Sequence, residues 1–126
     1  MRARPFVSRE GTGFSVRFVG QQRDVLNESL TWLANRREGE PCVTLWAGCG
    51  RDRLLRLSDT LRKSEHTVLS LEELHILHAV LLSIHSMFAS EESFHEQLGF
   101  YRENVYEFAN GLVMAVRDAA ATDIQG

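Results

Sequence analysis

The segment Leu71–Phe88 constrains this chain more than any other part of it. It opens on Ser70-Leu71-Glu72-Glu73, a spacing that lets the Ser70 hydroxyl accept from the Glu73 amide while the Glu73 carboxylate reaches back to the Ser70 amide. Leu69 and Leu74 flank that start as a hydrophobic staple. From Leu74 onward apolar residues occupy most of the helix circumference, interrupted by His75, His78, Ser83, His85 and Ser86. Such a helix has no wide face for water, so it is expected to be central in its domain or covered by a second chain. The interruptions also keep it from spanning a bilayer, which takes about 20 apolar residues.

The residues around it read as a mixture of strands and helices. Residues 5–9 and 14–19 alternate in polarity about Gly11-Thr12-Gly13 and predict a hairpin, with Phe14, Val16 and Phe18 inward. Residues 22–36 place Val25, Leu26, Ser29, Leu30, Trp32 and Leu33 on one helical side. Gly39 is read as the residue that ends this helix, and Pro41 as the start of a strand over 42–46 that closes at Ala47-Gly48-Cys49-Gly50. A basic helix over 51–63 and a short edge strand over 66–69 follow. After the central helix, Ser90 caps a further helix, Gly99 interrupts it, and a last helix runs from Phe100 to Ala119.

This order predicts an α+β fold. A small mixed or antiparallel N-terminal sheet of three to four strands, drawn from residues 5–69, packs against a helical layer from 70–119. A three-layer α/β arrangement is the alternative, because strand 14–19, helix 22–36 and strand 42–46 would make a right-handed crossover. One domain over 1–126 is expected, with residues 120–126 as a frayed tail and no internal repeat or linker.

Composition narrows the class. The chain is 44% hydrophobic, enough for a core, and its two cysteines are too few for a disulfide scaffold. Arg2 and Arg4 are not followed by the apolar run of a secretory leader, so a cytoplasmic protein with reduced cysteines is expected. The formal charge of −3 conceals a division. Residues 1–63 carry 12 Lys+Arg and 7 Asp+Glu, net +5, whereas residues 64–126 carry 2 and 10, net −8.

Several constellations carry chemistry on paper. Glu72-x-x-His75 and Glu92-x-x-His95 have the spacing used in carboxylate-bridged metal bundles, with His78 one turn further along. No complete ligand set accompanies them, so no metal or other cofactor is expected. Cys49, at a helix start beside Arg51, is a candidate nucleophile, and His78 and His85 are candidate catalytic bases. The Gly48-Cys49-Gly50 turn with Arg51 and Arg53 resembles an anion cradle but lacks the full dinucleotide pattern. Arg51, Arg53 and Arg56 are candidate phosphate or nucleic-acid contacts, against an overall pI of about 5.9. Glu91, Glu92, Glu96, Glu103 and Glu107 form a candidate acidic face for a basic protein partner.

The leading expectation is a non-enzymatic protein–protein interaction module that associates with itself, most simply as a homodimer. A bacterial immunity-type protein neutralising a basic partner, a His/Glu metal protein or small enzyme, and a weak nucleic-acid binder through 51–63 are the alternatives.

Overall fold

A computed structural model describes residues 3–125, the last four of them through their backbone. The elements run β1 (Phe6–Glu10), β2 (Gly13–Arg17), α1 (Gln22–Ala34), α2 (Glu40–Ala47), α3 (Arg51–Lys63), β3 (His66–Leu69), α4 (Leu71–Ser86), α5 (Glu91–Leu98) and α6 (Arg102–Gln125). The sheet is antiparallel throughout in the order β1-β2-β3. Among the described residues, three strands with six helices make the α+β fold that the hydrophobic periodicity predicts. Phe14 and Val16 of β2, and Phe18 just beyond it, are buried and Arg17 is exposed, whereas Ser15, on the face of Arg17, is buried too and hydrogen-bonded to His66.

The strand expected over 42–46 is a helix, and the three-layer alternative falls with it. Val43, Thr44 and Trp46 have strand propensity, but their neighbours decide. Gly39 takes φ 99° as the N-cap, Pro41 sits in the first turn where its missing amide is harmless, and Gly48 at φ 81° closes the C-terminus. Thr44 donates its hydroxyl to Glu40 O at 3.0 Å, an i−4 bond that a strand cannot make. Gly39 therefore begins α2 rather than ending α1, which stops at Asn35. At the other end, α6 continues through 120–125, and Gly126 lies outside the described residues.

Helix α4 is central, and its cover comes from within the chain. Leu74, Ile76, Leu77, Val80, Leu81 and Ile84 are buried against α1, α2 and α6. The start is the reciprocal cap that the sequence predicts: Glu73 N donates to Ser70 Oγ at 3.0 Å and Ser70 N to Glu73 Oε1 at 2.9 Å.

The chain does contain an internal repeat, contrary to the sequence reading. Shifting the numbering by 51 carries β2-α1-α2-α3 onto β3-α4-α5-α6. Local bonds recur at that spacing. Val19 N donates to Gln22 Oε1 as Ser70 N does to Glu73 Oε1, both at 2.9 Å. Arg51 N donates to Glu40 Oε1 at 2.9 Å, and Arg102 N to Glu91 Oε1 at 2.6 Å. Gly48 and Gly99 close the two short helices at φ 81° and 82°. The β2–β3 ladder is symmetric about Val16 and Thr67, which are both partners and equivalents. Phe14 opposes Leu69 at one end, and Phe18 N donates to Glu65 O at 3.2 Å at the other. The molecule is thus two copies of one strand-and-three-helix unit about a local two-fold axis through that pair.

Packing follows the axis. Contacts α3–α1, α1–α4 and α4–α6 set the long helices in a row, with α3 and α6 at its ends. The short helices cross over, α2 onto α4 and α5 onto α1, so the two units share one core. Only β1 has no equivalent. The residues 51 positions beyond it lie in α3.

Candidate functional site

The local symmetry makes the candidate surfaces comparable, because each has a counterpart under the same backbone. A groove of about 620 Å³ lies between α4 and α6, lined by Leu71, Leu74, His75, His78, Val113 and Val116 among others. Its walls are almost wholly apolar, and Leu71 and Val113 stand 61% and 47% exposed on its rim. The equivalent groove, about 360 Å³, is lined by Arg23, Asp24, Asn27, Glu28 and Arg62.

Helix length accounts for the divergence. α3 ends at Lys63, so its last carbonyls need donors. Arg23 supplies them, with Nε to Leu61 O at 3.1 Å and Nη2 to Arg62 O at 3.0 Å. At the same place α6 runs on, satisfies its own carbonyls, and leaves Leu74 where Arg23 would be. The apolar groove is therefore not demanded by the fold, since its twin is polar.

The four histidines of α4 and α5 divide among three settings. His75 is exposed and His78 half-buried on the groove wall, whereas His85 is set against the ring of Tyr106 at 5.4 Å. His95 stacks on Tyr101 at 4.4 Å. Among the described residues no three His, Cys, Asp or Glu side chains come together as a metal site. The candidate ligand set Glu72, His75, His78, Glu92 and His95 is accordingly not gathered, and Glu72 is paired with Arg53 at 2.5 Å.

Burial pushes the His78 imidazole below its ordinary 6.5, and neighbouring His75 adds to the effect. The native state thus resists a proton that the unfolded chain accepts. Stability is expected to fall as pH drops through the ordinary imidazole value, levelling once native His78 is protonated too. Urea unfolding at about pH 7.5 and about pH 5.5 checks this. The wild type should lose stability between them and His78→Gln should lose less; equal losses would remove His78 as the cause.

The glycine turn is no anion cradle. Gly48 closes α2 and Gly50 caps α3, and the α3 N-terminus already holds an anion, the Glu40 carboxylate. A Cβ at Gly50 would lie 2.2 Å from Glu40 Oε1, yet Tyr101 holds the equivalent place beside Glu91 and the same carboxylate-to-amide bond forms there. Arg51 turns inward to donate to Arg36 O at 2.5 Å. The Cys49 thiol is the reverse of an activated nucleophile. Burial pushes it up, more than Arg53 lowers it, and Glu40 and Glu72 push the same way. Of the three arginines read as phosphate contacts, Arg51 and Arg53 are engaged within the chain and Arg56 stands exposed. Glu91, Glu92, Glu96, Glu103 and Glu107 are all exposed, Glu91 capping α6.

One polar pair was not legible in the sequence. On the outer face of the sheet Ser15 Oγ and His66 Nε2 are hydrogen-bonded, 51 residues apart, beside Phe6 and Arg17. Only the β2–β3 register brings them together. No helix among the described residues is long and apolar enough to cross a membrane. No protein-family model matches the chain, and no curated protein or solved structure is significantly similar to it.

Proposed function

We propose that the protein is a non-enzymatic protein–protein interaction module that associates with a second copy of itself. One observation carries the reading: two halves of the same fold hold opposite charge. Residues 13–63 contain nine Lys+Arg and six Asp+Glu, and residues 64–114 contain one and eight. The contrast is sharpest on the outer helices. Equivalent positions hold Arg56 on α3 and Glu107 on α6, and beside them the exposed Leu55 and Tyr106. Setting α3 of one copy on α6 of another brings Leu55 to Tyr106 and Arg56 to Glu107. When both such contacts form, the assembly is an isologous dimer with a small apolar centre and a charged rim. The α4–α6 groove, with Val113 on its rim, continues the apolar part of that surface.

The module is expected to be dimeric by light scattering at low salt and to dissociate progressively as salt is raised, because rim charges are screened beyond about 10 Å at about 0.1 M. A monomer at both low and moderate salt would overturn the reading. The immunity-type reading draws on the same exposed glutamates but predicts a protein that is monomeric until it meets a basic partner.

A further inference from the structure

The sheet is incomplete with respect to its own symmetry. β1 lies antiparallel on the outer edge of β2 and packs on α6. The equivalent place, on the outer edge of β3 and over α3, has no strand among the described residues, because the chain that would supply it forms α3 itself. A cavity of about 200 Å³ lined by Arg53, Arg56, Leu57, Thr60 and Glu73 marks the spot. Its counterpart on α6 is where Ala3 and Arg4 cross Gly111, so closely that a Cβ on that glycine would lie 2.3 Å from Ala3 O.

The edge is chemically open. In the antiparallel ladder Glu65, Thr67 and Leu69 direct their amide and carbonyl groups to β2, so His66 and Val68 direct theirs outward. The His66 amide is taken by Ser64 Oγ at 3.2 Å. The Val68 amide remains as the outward donor, and its side chain is 54% exposed. We infer that this edge accepts an extended, acidic segment of a partner protein as a fourth strand, antiparallel to β3 as β1 is to β2.

Charge selects the occupant. A second copy pairing β3 with β3 would bring both copies of Arg56 to one seam, where like charges repel. An acidic segment meets Arg56 instead. Arg53 and Glu73 also face the slot, but each has a partner within the chain, Glu72 and the Ser70 amide. Thr60 stands where Gly111 admits backbone, so the added strand ends before that residue or rises over it. Main-chain bonds would supply the affinity and alternate side chains the selectivity. Arg56 also lies in the α3–α6 contact proposed above, so a second copy and an acidic segment would compete for it, whereas the Val68 amide is outside that contact.

The test uses a blocked probe peptide of roughly ten residues, alternating valine and glutamate, matched to a strand of ordinary length. Amide chemical-shift mapping on the wild-type protein should place the largest changes in His66–Leu69, with smaller ones in Arg53–Thr60. Val68→Pro removes the outward donor and leaves the β2 ladder intact, so it should weaken binding about tenfold or more, as losing a central bond does. Val68→Thr keeps the amide and should bind like the wild type. The same peptide with lysine for glutamate should bind more weakly. Absence of shifts in β3, wild-type affinity in Val68→Pro, or equal affinity for the lysine peptide would each overturn the inference. Should Val68→Pro fail to fold, the wild-type mapping and the two peptides decide the matter.

Discussion

Phe108→Ala is expected to lower the unfolding free energy by about 3–5 kcal/mol, the usual range for removing a fully buried aromatic side chain. Phe108 is wholly buried on α6 and meets Phe18 edge-on, with ring centroids 6.1 Å apart. The form of the transition matters as much as its size. The short helices cross between the units, α2 onto α4 and α5 onto α1, and the buried side chains of both units form one cluster. Urea unfolding followed by far-ultraviolet circular dichroism and by tryptophan fluorescence should therefore give coincident curves at a lower midpoint. Two separated transitions would show that the units fold independently. Leu57, the equivalent residue on α3, is smaller, and Leu57→Ala should cost about 2–4 kcal/mol.

Gly111→Val is the second large effect, and the local symmetry supplies its control. A side chain at Gly111 meets Ala3 O and Ala3 C at 2.3 and 2.7 Å, which are backbone atoms with little room to yield. The segment 3–5 must lift off α6 and carry the start of β1 with it. The expected loss is about 3 kcal/mol, at the upper end for an overpacked site. Thr60 occupies the matching place on α3, where no chain crosses. Thr60→Val should stay within about 0.5 kcal/mol of wild type, as for an ordinary surface exchange. Equal effects at the two positions would contradict the contrast between a filled and an open slot.

Legibility in the sequence followed how local each signal was. The start of α4 could be read because Ser70, Glu73, Leu69 and Leu74 lie within a few residues of one another and each makes a bond or contact specific to a helix N-terminus. The hairpin, α1, α3 and β3 were likewise set by short-range periodicity. α2 was misread because eight residues hold too few turns to show a period, and Val43 and Trp46 favour strands. Gly39, Pro41 and Gly48 carried the better signal, a glycine before the first turn, a proline inside it and a glycine after the last. The repeat is faint in the sequence because the shared core tolerates substitution. At the spacing of 51, Leu26/Leu77, Leu30/Leu81 and Leu61/Leu112 are retained in the core, with Glu40/Glu91, Gly48/Gly99 and Arg51/Arg102 at the caps. Other core positions exchange one apolar residue for another, as Val43 and Phe94 do. Surface positions reverse polarity, as Arg56 and Glu107 do. That reversal divides the net charge between the halves, and its meaning is visible only once the halves superpose.

The groove and the Ser15–His66 pair needed the tertiary structure. His78 reads as a possible base or ligand from its spacing alone, and the fold places it on an apolar wall. The feature that isolates this wall is the comparison of Leu74 with Arg23, which depends on where α3 ends and α6 does not.

Charge exchange at the two equivalent outer positions tests the self-association most directly. Arg56→Glu, Glu107→Arg and the double variant are compared with wild type by sedimentation equilibrium at low salt. Each single reversal sets like charges against one another at both contacts of the dimer and is expected to weaken association about tenfold or more. The double variant restores opposite charges and should recover most of the wild-type affinity. Singles that associate as tightly as wild type, or a double variant no better than the singles, would contradict the docking of α3 on α6.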